Sequence, residues 1–226
     1  MPPHSPGVHA FGEAAALVEL QGPSEAQALA TSLRQAQIPW LVGAVPGLGS
    51  LLVEFDPLAV DAAEVKQKLV AVIGSASVEP TPARVRTVPV VYGGEFGPDL
   101  NEVAALTHLS AEEVTRLHAA AELRVLFDGF APGFAYLGDL PEALRVQRLA
   151  TPRIRTPRGS VAIAGAMSGI YPADLPGGWR VIGRTPIDLF DPLRDPPAYL
   201  LPGDIVRIEP IVAADWDLHA GPADDW

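Results

Sequence analysis

Gly129-Phe130-Ala131-Pro132-Gly133-Phe134-Ala135-Tyr136-Leu137-Gly138 opens a run of similar phrases: Ser168-Gly169-Ile170-Tyr171-Pro172, Pro176-Gly177-Gly178-Trp179-Arg180 and Ile182-Gly183-Arg184-Thr185-Pro186. Each phrase is a glycine or proline turn carrying aromatic or arginine side chains. Glycine stands where a backbone turns with positive φ or lets another group come close. Proline fixes φ and removes a donor. Between these turns lie short apolar runs, read as strands over residues 123–127, 160–165, 179–183, 187–190 and 204–209. Many short strands punctuated in this way predict a closed or nearly closed β-barrel. Aromatics clustered at turns also suit a pocket built from loops on a rigid scaffold.

Outward from that stretch, the texture changes before residue 80. Ala14 to Leu20 reads as a strand, and a helix runs from Pro23-Ser24 to about Gln37 with Ser24 as N-cap. Trp40 to Val45 and Leu51 to Phe55 form a hairpin around Pro46-Gly47-Leu48-Gly49. Asp61 with Glu64 has capping-box spacing, and Val65, Leu69, Val72 and Ile73 make an apolar helix stripe. A short strand at Ser77 to Glu79 would complete β-α-β-β-α-β, a ferredoxin-like two-layer unit. Glu79-Pro80-Thr81-Pro82 is a stiff linker. Beyond it, Arg84 to Val91 is a strand in which Pro89 marks an edge or a bulge. Asp99 to Leu106 is a helix, and Ser110 with Glu113 caps another that ends near Ala121. The expected organisation is a flexible tail over residues 1–9, an α+β domain over 10–80 and a barrel over 83–226.

Composition narrows the partners. The chain has 226 residues, 48% hydrophobic, with net charge -11 and no cysteine. An acidic chain lacks the broad basic face that nucleic acid requires. No apolar run reaches the roughly 20 residues that span a bilayer, and residues 1–8 do not read as a signal peptide. A cytoplasmic location is the expectation. No histidine pair has helical ligand spacing, so no metal site is expected. There is no Gly-x-Ser-x-Gly elbow, Walker loop or dinucleotide fingerprint.

Against the acidic background, residues 143–186 hold seven arginines and the single acid Asp174. Arginine's planar fork suits carboxylate and phosphate. Two readings stand: a small-anion site, or a solvated arginine face. Asp128 and Asp139 bracket the Gly129–Gly133 loop and are either a carboxylate pair or turn formers. Tyr171 and Trp179 either line a groove for a ring-shaped ligand or pack the barrel.

The phrases at residues 129–141, 151–153, 156–165, 168–172, 176–192 and 201–211 resemble the KipI family, also called the allophanate hydrolase subunit 1 family. The resemblance runs from about Ala10 to Val212. Arg158 and Met167 stand where the family usually has alanine and glutamine. The resemblance implies a cyclophilin-like barrel and a non-autonomous subunit of an ATP-dependent 5-oxoprolinase, acting with companion subunits A and C. ATP would belong to the assembled complex. His118 falls where the family carries a histidine, which makes it, with Asp128, a candidate for acid–base work. The candidate substrate contacts are Phe130, Pro132, Gly133, Phe134, Tyr136, Arg153, Arg158, Gly169, Tyr171, Pro172, Gly177, Gly178, Trp179, Gly183 and Arg184. Two other roles occur in the family. One is inhibition of a sensor histidine kinase by a barrel groove. The other is a carboxyltransferase-type component as in urea amidolyase, which needs a biotin-bearing partner.

Overall fold

The computed structural model describes residues 7–75, 83–223 and 226. The chain divides into two compact units, Met1–Pro82 and Ala83–Trp226. The strand expected at Ser77 to Glu79 and the linker Glu79-Pro80-Thr81-Pro82 lie outside the described residues.

The first unit is one helix layer on one sheet. Its elements are β1 (Val8–Ala10), β2 (Ala15–Glu19), α1 (Pro23–Gln35), β3 (Leu41–Pro46), β4 (Ser50–Phe55) and α2 (Ala62–Ser75). The sheet order is β1-β2-β4-β3, antiparallel throughout. Val8–Ala10, at the end of the stretch expected to be a tail, pairs with β2 instead. It sits at the sheet edge beside β2, where the last strand of a ferredoxin-like unit belongs. Alternation along β2 and β4 turns Ala16, Val18, Leu51, Val53 and Phe55 inward against Leu29, Leu33, Val65 and Leu69. Val72 and Ile73 pack beside them, half-buried. Ser24 is not the cap of α1. Pro23 occupies the first helical position and moves the cap to Gly22, which has no side chain to offer. Glu25 compensates by accepting from the Gln21 N–H at 2.7 Å. In α2 the Asp61 carboxylate accepts from the Glu64 N–H at 2.8 Å, as its spacing predicts.

The second unit holds β5 (Val85–Tyr92), α3 (Leu100–Thr107), α4 (Ala111–Ala120), β6 (Leu123–Asp128), β7 (Ala135–Gly138), β8 (Arg153–Thr156), β9 (Ser160–Ala164), β10 (Met167–Ile170), β11 (Leu175–Gly177), β12 (Arg180–Arg184) and β13 (Ile205–Pro210). Seven strands close into a barrel in the order β10-β7-β6-β13-β5-β12-β9, and β8 with β11 forms a separate ribbon. The α+β class and the closed barrel agree with the sequence reading. Inward residues such as Val88, Val90, Val125, Leu137, Ile163, Ile170 and Val206 fill the interior, joined by Val103 and Val114 from the two helices. Burying each such side chain contributes about 1.5–3 kcal/mol. The capping box of α4 forms in both directions: Ser110 Oγ accepts from the Glu113 N–H, and the Glu113 carboxylate accepts from the Ser110 N–H.

Two expectations change here. Residues 187–190 form no strand; only the single bridges Ile187–Gly221 and Phe190–Ala198 occur. Pro186 and Pro192 flank this segment and deny it a ladder, although Ile187 and Leu189 still reach the core. Pro89 lies within a strand of a closed barrel. In the parallel pairing with β13, Arg84 and Val90 turn their carbonyls toward β13, where Ile205 and Ile211 donate to them. Pro89 therefore faces the other side. There the ladder to β12 pairs only Val91 and Tyr92, so no hydrogen bond is lost. Among the described residues no helix is long and apolar enough to cross a membrane.

Candidate functional site

The glycine-proline phrases converge on the outer wall of the barrel. On β9, Val161 and Ile163 point into the core while Ala162 and Ala164 point out; Val181 points out beside Ile182 on β12. These small outward side chains leave room for rings. Phe134, Tyr171 and Trp179 pack there, at 2%, 2% and 5% exposure. Their rings meet edge to face, Phe134 to Tyr171 at 5.2 Å and Phe134 to Trp179 at 6.0 Å. Such pairs add about 0.5–1.5 kcal/mol each beyond area burial. Tyr136 joins at 4.9 Å from Phe134 and stacks on Phe127 at 4.3 Å. Phe130 stands at the rim, 58% exposed and 5.4 Å from Phe134. Arg148 lies over the Trp179 indole at 5.8 Å.

Glycine is required at the centre of this wall. A Cβ on Gly169 would lie 2.9 Å from Phe134 and 3.1 Å from Trp179. One on Gly177 would overlap the Tyr171 hydroxyl. Gly133 has φ +79 and lies against Phe190, and its turn delivers Phe134 into the cluster. Gly183 closes on Val90 across the barrel seam. Gly178 meets nothing closer than Pro152, Pro132 is exposed and Pro172 is buried.

His118 is fully buried in the barrel, delivered by the last turn of α4. Its Nδ1 is 2.6 Å from the Tyr92 hydroxyl and its Nε2 is 2.9 Å from Ser168 Oγ. Ser168 Oγ donates to the Ala162 carbonyl at 3.2 Å, so it accepts from Nε2–H. The tautomer follows: Tyr92 O–H donates to Nδ1, Nε2–H donates to Ser168, and Ser168 donates to β9. Burial lowers the imidazole pKa to about 4 and raises the Tyr92 phenol far above its usual range. At neutral pH the chain of hydroxyl, ring and hydroxyl is uncharged.

Asp128 ends β6. Its Oδ1 is buried without a hydrogen-bond partner. Burial first, and the charge of Asp204 second, raise its pKa to about 7. Asp139 does not share this place. Asp128 pairs with Ala135 near the turn of the β6–β7 hairpin, whereas Asp139 follows Gly138, which pairs with Arg124 at the other end. The two carboxylates do not form a pair. Asp204, the acid that does act on Asp128, is buried and holds Arg84 through two hydrogen bonds of 2.9 and 2.7 Å.

The arginines disperse. Arg153 pairs with Asp99 at 2.5 Å and donates to the Trp179 carbonyl. Arg155 pairs with Asp174, Arg158 with Asp188, and Arg180 with Glu102 at 2.6 Å. Arg145 stands 3.9 Å from Glu142. Most of the arginines are thereby matched by acids, and all of those acids except Asp174 lie outside the arginine-rich segment. Arg158 and Arg184 share a cleft of about 290 Å³ with Asp188 and Trp216. Tyr92 and Ser168 escaped the sequence reading, because a buried hydroxyl partner of a histidine leaves no spacing signal. Arg148 counted only as one of seven. Among the described residues no cluster of three metal-ligating side chains occurs.

A buried histidine relay, a ring cluster cross-braced by glycines and a seven-stranded barrel define a class. The carboxyltransferase domain family, subdomains C and D, matches residues 6–200, and the chain belongs to it. Its particular likeness is to the B component of 5-oxoprolinase, one of that enzyme's subunits. It is 44% identical over 207 residues to this component from Escherichia coli O157:H7, covering 88% of this chain and 94% of the relative. It is 38% identical over 207 residues to the one from Bacillus subtilis strain 168, covering 85% and 84%. The crystal structure of TTHA0988 matches with TM-score 0.76 and 36% identity over 87% of this chain, which spans only 40% of that protein. The Kluyveromyces lactis urea amidolyase shares the fold at TM-score 0.77 and 21% identity, over 96% of this chain and 16% of that one.

Proposed function

We propose that this chain is a subunit of an ATP-dependent 5-oxoprolinase that converts 5-oxo-L-proline to L-glutamate together with companion subunits A and C. One observation carries the reading: likeness to two proteins named as the B component of 5-oxoprolinase extends over nearly the whole length of one of them. The relay and the ring cluster agree with a part of a site rather than a whole one. His118 is neutral and holds no free edge, because both ring nitrogens are engaged inside the barrel. Asp128 is the titratable group poised near neutrality. No nucleophile elbow or nucleotide loop appears in the sequence.

Chemically, a lactam is a poor electrophile. Phosphorylation of its oxygen by ATP turns that oxygen into a leaving group. One water then adds to the ring carbon and the C–N bond breaks, with the nitrogen taking a proton. The opened chain then carries an acyl phosphate, since ADP left when the phosphoryl group was transferred, and a second water cleaves it to the side-chain carboxylate and inorganic phosphate. Asp128, held near pKa 7, suits the proton transfers of such a sequence. Phe130, exposed at the rim of the packed ring cluster, offers an apolar face to the ring of the substrate.

The test is release of glutamate from 5-oxo-L-proline and ATP by purified components. The chain alone is expected to release none, and the chain with subunits A and C is expected to turn over. Turnover by the isolated chain, or undiminished turnover by A and C without it, overturns the reading.

A further inference from the structure

Arg184 differs from the other arginines in how it is held. Its Nε donates to the Arg158 carbonyl at 2.7 Å. Its guanidinium lies over the Trp216 indole at 5.4 Å, and Trp216 is backed by Phe96 at 5.0 Å. Two contacts thus fix the plane of the fork. Among the described residues no carboxylate lies within ion-pair distance of it: Asp188 is taken by Arg158, and Asp174, paired with Arg155, acts on Arg184 through its charge. The fork opens on the cleft that Arg158, Thr185, Asp188, Trp216 and Gly221 line with it. With Arg158 and Asp188 paired, Arg184 is the remaining cation among the residues that line the cleft.

We propose that this cleft binds a small monocarboxylate, with the terminal nitrogens of Arg184 donating to its two oxygens. A freely solvated arginine loses side-chain freedom when it grips an anion. Arg184 has already lost that freedom to Trp216 and the Arg158 carbonyl, so little more is required. The planar fork matches a carboxylate two-for-two. Asp188 in the cleft lining and Asp174, whose charge acts on Arg184, disfavour a dianion, which sets phosphate apart from a monocarboxylate. A cleft of about 290 Å³ accommodates a molecule the size of a small cyclic or short-chain acid. The inference does not rest on the subunit role, since it is read out in this chain without turnover.

Binding is measured by calorimetry and tryptophan fluorescence on the full chain at low ionic strength, with 5-oxo-L-proline, acetate and inorganic phosphate as separate probes. Saturable binding of a monocarboxylate is expected, with a fluorescence change that Trp216→Phe removes. Arg184→Gln keeps the stem and removes the charge; it should weaken binding about ten- to hundredfold. Arg184→Lys should recover only part of this. Arg194→Ala, outside the cleft, should leave affinity unchanged. Loss of binding in Arg184→Gln with an unchanged near-ultraviolet circular dichroism spectrum supports the site. Absence of saturable carboxylate binding, binding of phosphate alone, or equal affinity in Arg184→Gln and the parent chain overturns it.

Discussion

Two buried titratable groups pull the stability of this protein in opposite directions with pH. His118 titrates at about 4 in the fold against an ordinary 6.5. Between those values the unfolded chain binds the proton more readily. Its contribution is complete above about pH 6.5 and is lost as pH falls toward 4, on the order of 3 kcal/mol in all. Asp128 titrates at about 7 against an ordinary 3.8. Here the folded chain holds the proton longer, so stability is lost as pH rises through that window. Asp128→Asn, a neutral mimic, should be more stable than the parent at pH 8 by on the order of 1–4 kcal/mol, with the gain gone by pH 4. Urea unfolding at the two pH values measures this; an equal gain at both would place Asp128 in contact with water or a cation. Within the relay, Tyr92→Phe removes the donor to Nδ1 and leaves a buried acceptor unpaired, a loss of about 1–3 kcal/mol. An unchanged urea midpoint for that variant would mean that the bond from Tyr92 to His118 is not formed.

At the scale of elements, glycine positions decide more than strand propensity does. Gly169→Ala places a methyl against Phe134 and Trp179, and overpacking of this kind costs about 1–3 kcal/mol. The near-ultraviolet circular dichroism of the ring cluster should change with it, while the far-ultraviolet spectrum stays. A Gly169→Ala protein with native spectrum and midpoint would show that the rings are looser than described. The helices were readable because their signals are local: Ser110 and Glu113 state the start of α4 outright. The strands β7, β8, β10 and β11 were not read, because each has only three or four residues and the very glycines that shape the wall interrupt its pattern. Residues 187–190 misled for the reverse reason: apolar residues there pack the core from a loop. The role of β1 was hidden too, since the sheet edge it occupies was expected to come from the far end of the unit.

For the whole molecule, the cluster of rings was legible as a cluster, and of the two readings open for Tyr171 and Trp179 the structure shows packing on the barrel. Arginine density pointed to anion binding in general. The structure assigns most of those arginines to acids such as Asp99, Glu102 and Asp188, which sequence distance concealed. The second unit closes its own barrel and fills it with its own helices, so residues 83–226 expressed alone should unfold cooperatively. A molten fragment, with the full chain sound, would mean that the first unit completes the barrel's core. The subunit role is tested most directly by titration. Increasing amounts of this chain are added to fixed subunits A and C, and 5-oxo-L-proline-dependent ADP release is followed. No release is expected without this chain, then a rise that saturates at a fixed stoichiometry. A rate that is full at zero chain, or flat across the titration, would contradict the subunit role.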